Sequence, residues 1–160
     1  MTSAHCKSIQ EGGHRALGDC DVAGIVYYPR FFDMINALTE DWFKEELGTS
    51  YAELMRRHHI GFPTVRVDCD FLVPCPFGED IELSLSVATL GRSSLALDFK
   101  GQVGGKPCLR AVHTLVMMSR DTYSAVPIPE ELRARMEPFL NTKPVAGETQ
   151  PANPPAGALK

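Results

Sequence analysis

Two periodicities divide this chain. Over residues 29–47 the apolar positions recur at helical spacing. Phe31, Ile35, Leu38, Trp42 and Leu47 fall near one stripe, and Phe32, Met34 and Phe43 widen it. Asp41, Lys44, Glu45 and Glu46 sit largely off that stripe. Pro29 suits the first helical position, where its missing N–H has no partner to lose, and Gly48 is a natural stop. A second, shorter helix is expected over residues 50–59, ahead of Gly61 and Pro63. Then the period becomes two. Val65, Val67, Cys69 and Phe71 alternate with Arg66, Asp68 and Asp70. Ile81, Leu83, Leu85 and Val87 alternate with Glu82, Ser84 and Ser86, and Leu95, Leu97 and Phe99 with Ala96, Asp98 and Lys100. These runs predict half-buried antiparallel strands.

Residues 109–118 are apolar on both faces and predict a central strand. Breaks fall at residues 74–76, at Gly91, and at Gly104 and Gly105, the last pair being a hairpin signal. Residues 5–20 have room for one strand, and residues 130–139 for a short terminal helix. One strand, a long helix and four strands make an α+β layer arrangement, with a meander wrapped around a single apolar helix. The predicted domain covers residues 1–140. In residues 141–160, Pro144, Pro151, Pro154 and Pro155 sit among Ala, Gly and polar residues, so this tail is expected to be disordered.

Composition narrows the function classes. A chain of 160 residues with a net charge of −4 reads as one domain without the basic stripe that nucleic acid demands. An anionic small ligand stays open, because a few local arginines or a helix N-terminus can hold phosphate. The cysteines are Cys6, Cys20, Cys69, Cys75 and Cys108, an odd number without a CxxC pair. Reduced, mostly buried thiols and no bound metal are therefore expected. Residues 1–10 lack the apolar core of a secretory leader and no stretch is long enough to cross a bilayer. The expectation is a cytoplasmic protein with no membrane or nucleic-acid partner.

The segment GDCDVAGIVYYPRFF, residues 18–32, carries the chemistry. Asp19 and Asp21 lie close together ahead of a helix, Gly24 permits a tight turn or a close backbone approach, and the helix start leaves N–H groups unpaired. Those donors and the helix dipole suit a developing oxyanion, and a carboxylate beside them suits acyl transfer. The residues alone also fit an aspartate that merely caps the helix.

The run Asp21-x-x-Gly24-x-Val26-Tyr27-Tyr28, followed by aromatics and a helix, resembles the 4-hydroxybenzoyl-CoA thioesterase family of hotdog-fold enzymes, in its Pseudomonas-type form. The likeness is specific over about a dozen residues and extends more weakly through Gly61-Phe62-Pro63-Thr64-Val65 to about Pro129. It implies a hotdog fold, a five-stranded antiparallel sheet wrapped around a long central helix. It implies an acyl-CoA thioesterase that releases free acid and CoA, with CoA as part of the substrate and no cofactor. Asp21 would be the nucleophile or the base for water. The backbone N–H of Tyr28 would polarise the thioester carbonyl, and Gly24 would let the substrate pass close to the chain. Val26, Asn36 and Thr64 would line the acyl site, and Arg92, Ser93 and Ser94 would meet CoA at a turn. Two subunits would join edge to edge with the site between them, the dimers pairing into a homotetramer. Asn36 departs from the Asp or Glu of many relatives, so benzoyl-CoA is as good a candidate as 4-hydroxybenzoyl-CoA.

Other residues read as structural. His58 and His59 close the second helix, His113 sits in an apolar strand as a satisfied core histidine, and Cys20 has no activating partner. Glu40 is the runner-up base, because another hotdog subgroup uses a helix carboxylate. The alternatives are a thioesterase for short or medium aliphatic acyl-CoA and a non-catalytic acyl-CoA-binding module. A hydratase on the same fold wants a histidine with a carboxylate, and no His follows the Gly24 turn.

Overall fold

The alternation that begins after residue 60 closes into one antiparallel sheet. The computed structural model describes residues 5–9, 23–76 and 78–141. Its strands are β1 (His5–Ile9), β2 (Ile60–Gly61), β3 (Thr64–Phe71), β4 (Ile81–Leu90), β5 (Ser94–Val103), β6 (Lys106–Val116) and β7 (Met118–Ser119). Its helices are α1 (Tyr28–Glu45), α2 (Tyr51–Arg57) and α3 (Glu130–Met136). The main sheet has five strands in the order β1-β4-β5-β6-β3, and β2 pairs with β7 in a small second sheet. The expected five-stranded antiparallel sheet is therefore present. The strand read as central, β6, is an inner strand next to the edge, and β5 occupies the middle.

Burial explains why α1 is apolar over a wide arc. Phe31, Met34, Ile35, Leu38, Thr39, Trp42 and Phe43 are buried, and they face Ile81, Leu83, Leu85 and Val87 of β4 and Leu95, Leu97 and Phe99 of β5 within one core. Thr39 is accommodated because its hydroxyl donates to the Ile35 carbonyl at 2.8 Å. Pro29 lies in the first turn, one residue later than expected, since the helix opens at Tyr28.

The end of α1 depends on one left-handed residue. Gly48 has φ +64°, and the Arg135 guanidinium donates to the neighbouring Leu47 carbonyl at 2.7 Å. The left-handed φ requires glycine here, and a Cβ would also displace the Arg135 guanidinium, 2.5 Å away at Nη1, from its bond to Leu47. The second helix is shorter than expected because Ser50 caps it, its side chain accepting from the Glu53 N–H at 3.1 Å. Gly104 and Gly105, with φ +53° and +73°, make the expected hairpin between β5 and β6. The terminal helix α3 is followed by a 3-10 turn at Glu137–Phe139. Residues 142–160, where the tail is expected, lie outside the described residues. Among the described residues no helix is long and apolar enough to cross a membrane.

One expectation fails. The strand β3 alternates like its neighbours, yet Val65, Val67 and Phe71 stay 59%, 41% and 47% exposed. The alternation marks which face is apolar, but β3 is an edge strand, and α1 covers it only in part, through Tyr28 and Phe31 on Phe71.

Candidate active site

The start of α1 and the end of β3 form a cleft of about 330 Å³ whose lining includes Ile25, Val26, Tyr28, Phe31, Phe71 and Cys75. Its floor is held by the chain itself. The Val26 N–H donates to the Cys75 carbonyl at 2.9 Å, and Ile25 bridges to Pro76 in antiparallel fashion. The loop after β3 thus fixes the segment that leads into the helix. Phe71 packs against both Phe31 and Tyr28, with ring centroids 5.5 and 6.4 Å apart.

Gly24 precedes this cleft with φ +72°, and among the described residues no atom beyond its chain neighbours lies within 4 Å of where its Cβ would stand. That open space is what a passing ligand needs, and the left-handed conformation is what glycine supplies. Tyr28 is the first residue of α1, so its N–H has no intrahelical partner, and it makes no hydrogen bond to any described residue. The Tyr28 side chain is exposed. An amide at a helix N-terminus, without a partner among the described residues and on a residue that lines an apolar cleft, can hold a carbonyl oxygen that gains negative charge. Asp21 lies outside the described residues, and so do Asp19 and Cys20.

The remaining candidates sit elsewhere. Asn36 is exposed on α1, two turns beyond Tyr28. Thr64 opens β3 at its far end, paired with Leu115. Ser93 and Arg92 form the turn between β4 and β5, closed by the Gly91 N–H donating to the Ser94 carbonyl at 2.8 Å. This turn is braced by the Arg133 guanidinium, which donates to the Gly91 carbonyl at 2.5 Å. The Arg92 side chain is exposed.

The register shows how far apart the two groups are. Phe71 pairs with Leu109, which pairs with Gly101, whereas Ser94 lies seven residues away at the other end of β5. At about 3.3 Å per residue the Tyr28 end and the Arg92 turn are about 23 Å apart along the sheet. One chain therefore brings Gly24, Val26 and Tyr28 together, and leaves Thr64, Arg92, Ser93 and Ser94 at the opposite end.

Two features of the cleft and its surroundings go beyond the burial expected from the sequence. Cys75 and Cys108 are both buried, and burial together with the hydrogen bond between the two thiols pushes Cys108 up to about 12. The Cys108 thiol is therefore protonated and inert at neutral pH. His113 is buried as expected, yet its Nε2 has no hydrogen-bond partner, so it is not satisfied. Glu40, the alternative base, is exposed on α1. Among the described residues no three His, Cys, Asp or Glu side chains cluster as a metal would need.

The profile of the thioesterase-like superfamily matches residues 16–136. A 1,4-dihydroxy-2-naphthoyl-CoA hydrolase of Synechococcus elongatus is 24% identical over 119 residues, which is 72% of this chain and 85% of that protein. Among solved structures, a thioesterase superfamily protein of Jannaschia sp. CCS1 superposes with a TM-score of 0.77 at 25% identity, covering 87% of this chain and 94% of the other. A gentisyl-coenzyme A thioesterase superposes with a TM-score of 0.69 at 25% identity, covering 84% of this chain and 99% of the other.

Proposed function

The chain belongs to the thioesterase-like superfamily, and on that premise we propose that it hydrolyses aromatic acyl-CoA thioesters at the start of α1. Membership makes it a thioester hydrolase with the hotdog fold. The observation that carries the site is the Tyr28 amide, without a hydrogen-bond partner among the described residues, on a residue that lines the cleft next to the left-handed Gly24 turn. In this reading the thioester carbonyl accepts a hydrogen bond from that amide. Asp21 then attacks the carbonyl carbon or takes a proton from an attacking water. The tetrahedral oxyanion is stabilised by the amide and the helix dipole, the C–S bond breaks, and CoA leaves as its thiolate. The free acid is released directly, or after water opens an acyl–Asp21 anhydride.

The aromatic acyl group is favoured by the rings of Phe31 and Phe71 in the cleft wall and by the substrates that name two of the relatives. An edge-to-edge homodimer is favoured by the exposed apolar face of β3. Joined antiparallel along β3, a second copy would carry its Arg92 turn toward the first copy's Tyr28 and bridge the gap of about 23 Å, the reach of one extended CoA tail. Pairing of such dimers into a homotetramer belongs to the same reading.

Thiol release from benzoyl-CoA, 4-hydroxybenzoyl-CoA, phenylacetyl-CoA, butyryl-CoA and octanoyl-CoA separates the readings. The aromatic reading expects kcat/KM for an aryl substrate to exceed both aliphatic ones at least tenfold. A preference for octanoyl-CoA would replace it with the aliphatic thioesterase, and binding without turnover with the non-catalytic module.

A further inference from the structure

His113 is a buried polar side chain without a partner. It is 5% exposed, and its Nε2 makes no hydrogen bond to any described residue. An orphaned buried nitrogen forfeits its hydration for nothing in return, about 1–3 kcal/mol in ordinary cases. Trp42 Nε1 is orphaned too, but Trp42 lies fully buried between Phe43 and Phe139, where no ligand reaches.

The surroundings of His113 are different. Its ring packs against Phe99 and lies beneath Phe32, with centroids 5.3 and 6.0 Å away. Phe32 is only half-buried, and it sits one helical turn beyond Tyr28, a rise of about 6 Å. On the sheet His113 pairs directly with Val67, which belongs to the open apolar face of β3. The imidazole therefore lies beneath Phe32, next to Val67 of the edge strand, in the strip between α1 and β3. Burial lowers the basicity of the imidazole, so it is neutral at pH 7 and offers one donor and one acceptor.

We infer that His113 is a specificity residue for the acyl group, its Nε2 hydrogen-bonding a hydroxyl on an aryl ring that moves Phe32 aside and lies between α1 and β3. The inference rests on the aryl-CoA reading and adds to it a ring bearing a hydroxyl. Asn36, exposed two turns along α1, is not needed for this contact. A site that holds an unpaired polar group discriminates against the ligand that leaves it unpaired.

The test compares benzoyl-CoA with 3-hydroxybenzoyl-, 4-hydroxybenzoyl- and 2,5-dihydroxybenzoyl-CoA, using wild type, His113→Phe and His113→Gln. Phenylalanine fills the same space between Phe32 and Phe99 without a polar atom. The wild type is expected to favour at least one hydroxylated substrate at least tenfold in kcat/KM. In His113→Phe that ratio should collapse toward one, and His113→Gln should recover part of the preference. A ratio unchanged in His113→Phe overturns the inference and leaves the aryl-CoA reading standing. Failure of the wild type to cleave any of the four overturns both. Should His113→Phe not fold, the imidazole nitrogen resonances of the wild type decide the matter. A non-hydrolysable thioether analogue of the preferred hydroxybenzoyl-CoA should shift them, and the benzoyl analogue should not. Equal shifts with both analogues contradict the contact.

Discussion

Replacing Tyr28 by proline removes one hydrogen-bond donor from the proposed site and little else. Proline is well tolerated in the first turn of a helix, and the residue before it must be extended. Tyr27, with φ −63° and ψ 125°, is already extended in this way. The Tyr28 ring is 57% exposed, so its loss opens no cavity. Stability should change by no more than about 1 kcal/mol. Activity should not be so forgiving. Loss of one preorganised oxyanion donor lowers kcat by about 100- to 1000-fold, or about 2.7–4 kcal/mol of transition-state stabilisation. The assay is thiol release under saturating benzoyl-CoA, with thermal unfolding measured in parallel. Tyr28→Ala and Tyr28→Phe serve as controls, because both keep the amide. They should retain kcat within about threefold, apart from any ring contribution to KM. If Tyr28→Pro folds and is as active as Tyr28→Ala, the amide is not the oxyanion donor and the site has been drawn in the wrong place.

Three further outcomes follow from the packing. Gly48→Ala forces a left-handed alanine against Arg135 and should cost about 2 kcal/mol, read as a lower Tm with unchanged activity in the surviving folded protein; an unchanged Tm contradicts the cap described for α1. Val67→Lys puts a charge on the open face of β3 and should yield monomers by light scattering, with loss of turnover; a fully active oligomer would show that the subunits join elsewhere. Burial holds the folded-state pKa of His113 below its ordinary value near 6.5, so the unfolded chain binds the proton first as pH falls. Stability should therefore be lost as pH drops below about 6.5 toward the folded pKa, by at most about 1.4 kcal/mol per pH unit, with no His113 effect above that window. Denaturant titrations at pH 5 to 7 should show a shallower acid slope in His113→Phe, and identical slopes would mean the imidazole already titrates freely.

Much of the fold was legible because periodicity reports directly on which face is buried. The α1 stripe, the β4 and β5 alternations and the glycine hairpin all reappear where the spacing put them. What periodicity does not report is who covers a face. Val65, Val67 and Phe71 follow the same rule as Leu83 and Leu85, yet among the described residues Val65 and Val67 are left open and Phe71 is only half covered, by Tyr28 and Phe31. Boundaries moved where local hydrogen bonding decided them, as at Ser50, whose capping oxygen starts α2 a residue later. The site was legible in pieces. Gly24 came from the turn and the Tyr28 amide from the family resemblance; Val26 and Tyr28 line one cleft, and Gly24 immediately precedes it in the chain. Phe71 and Cys75 were hidden because their contribution arises from the pairing of β3 and from a backbone carbonyl, neither of which a side-chain motif encodes. The open nitrogen of His113 was hidden for a similar reason, since a histidine in an apolar strand looks the same whether or not it finds a partner.

The most direct test of acyl transfer by this chain is the turnover of Asp21→Asn beside wild type, on whichever aryl-CoA the wild type cleaves fastest. Asparagine keeps the shape of aspartate but is neither a comparable nucleophile nor a base at neutral pH. A fall in kcat of at least about 1000-fold is expected, on the order of 4 kcal/mol, with Tm and binding of the thioether analogue unchanged. An Asp21→Asn variant that turns over as fast as wild type would contradict the catalytic role of Asp21 and send the search for the base to Glu40.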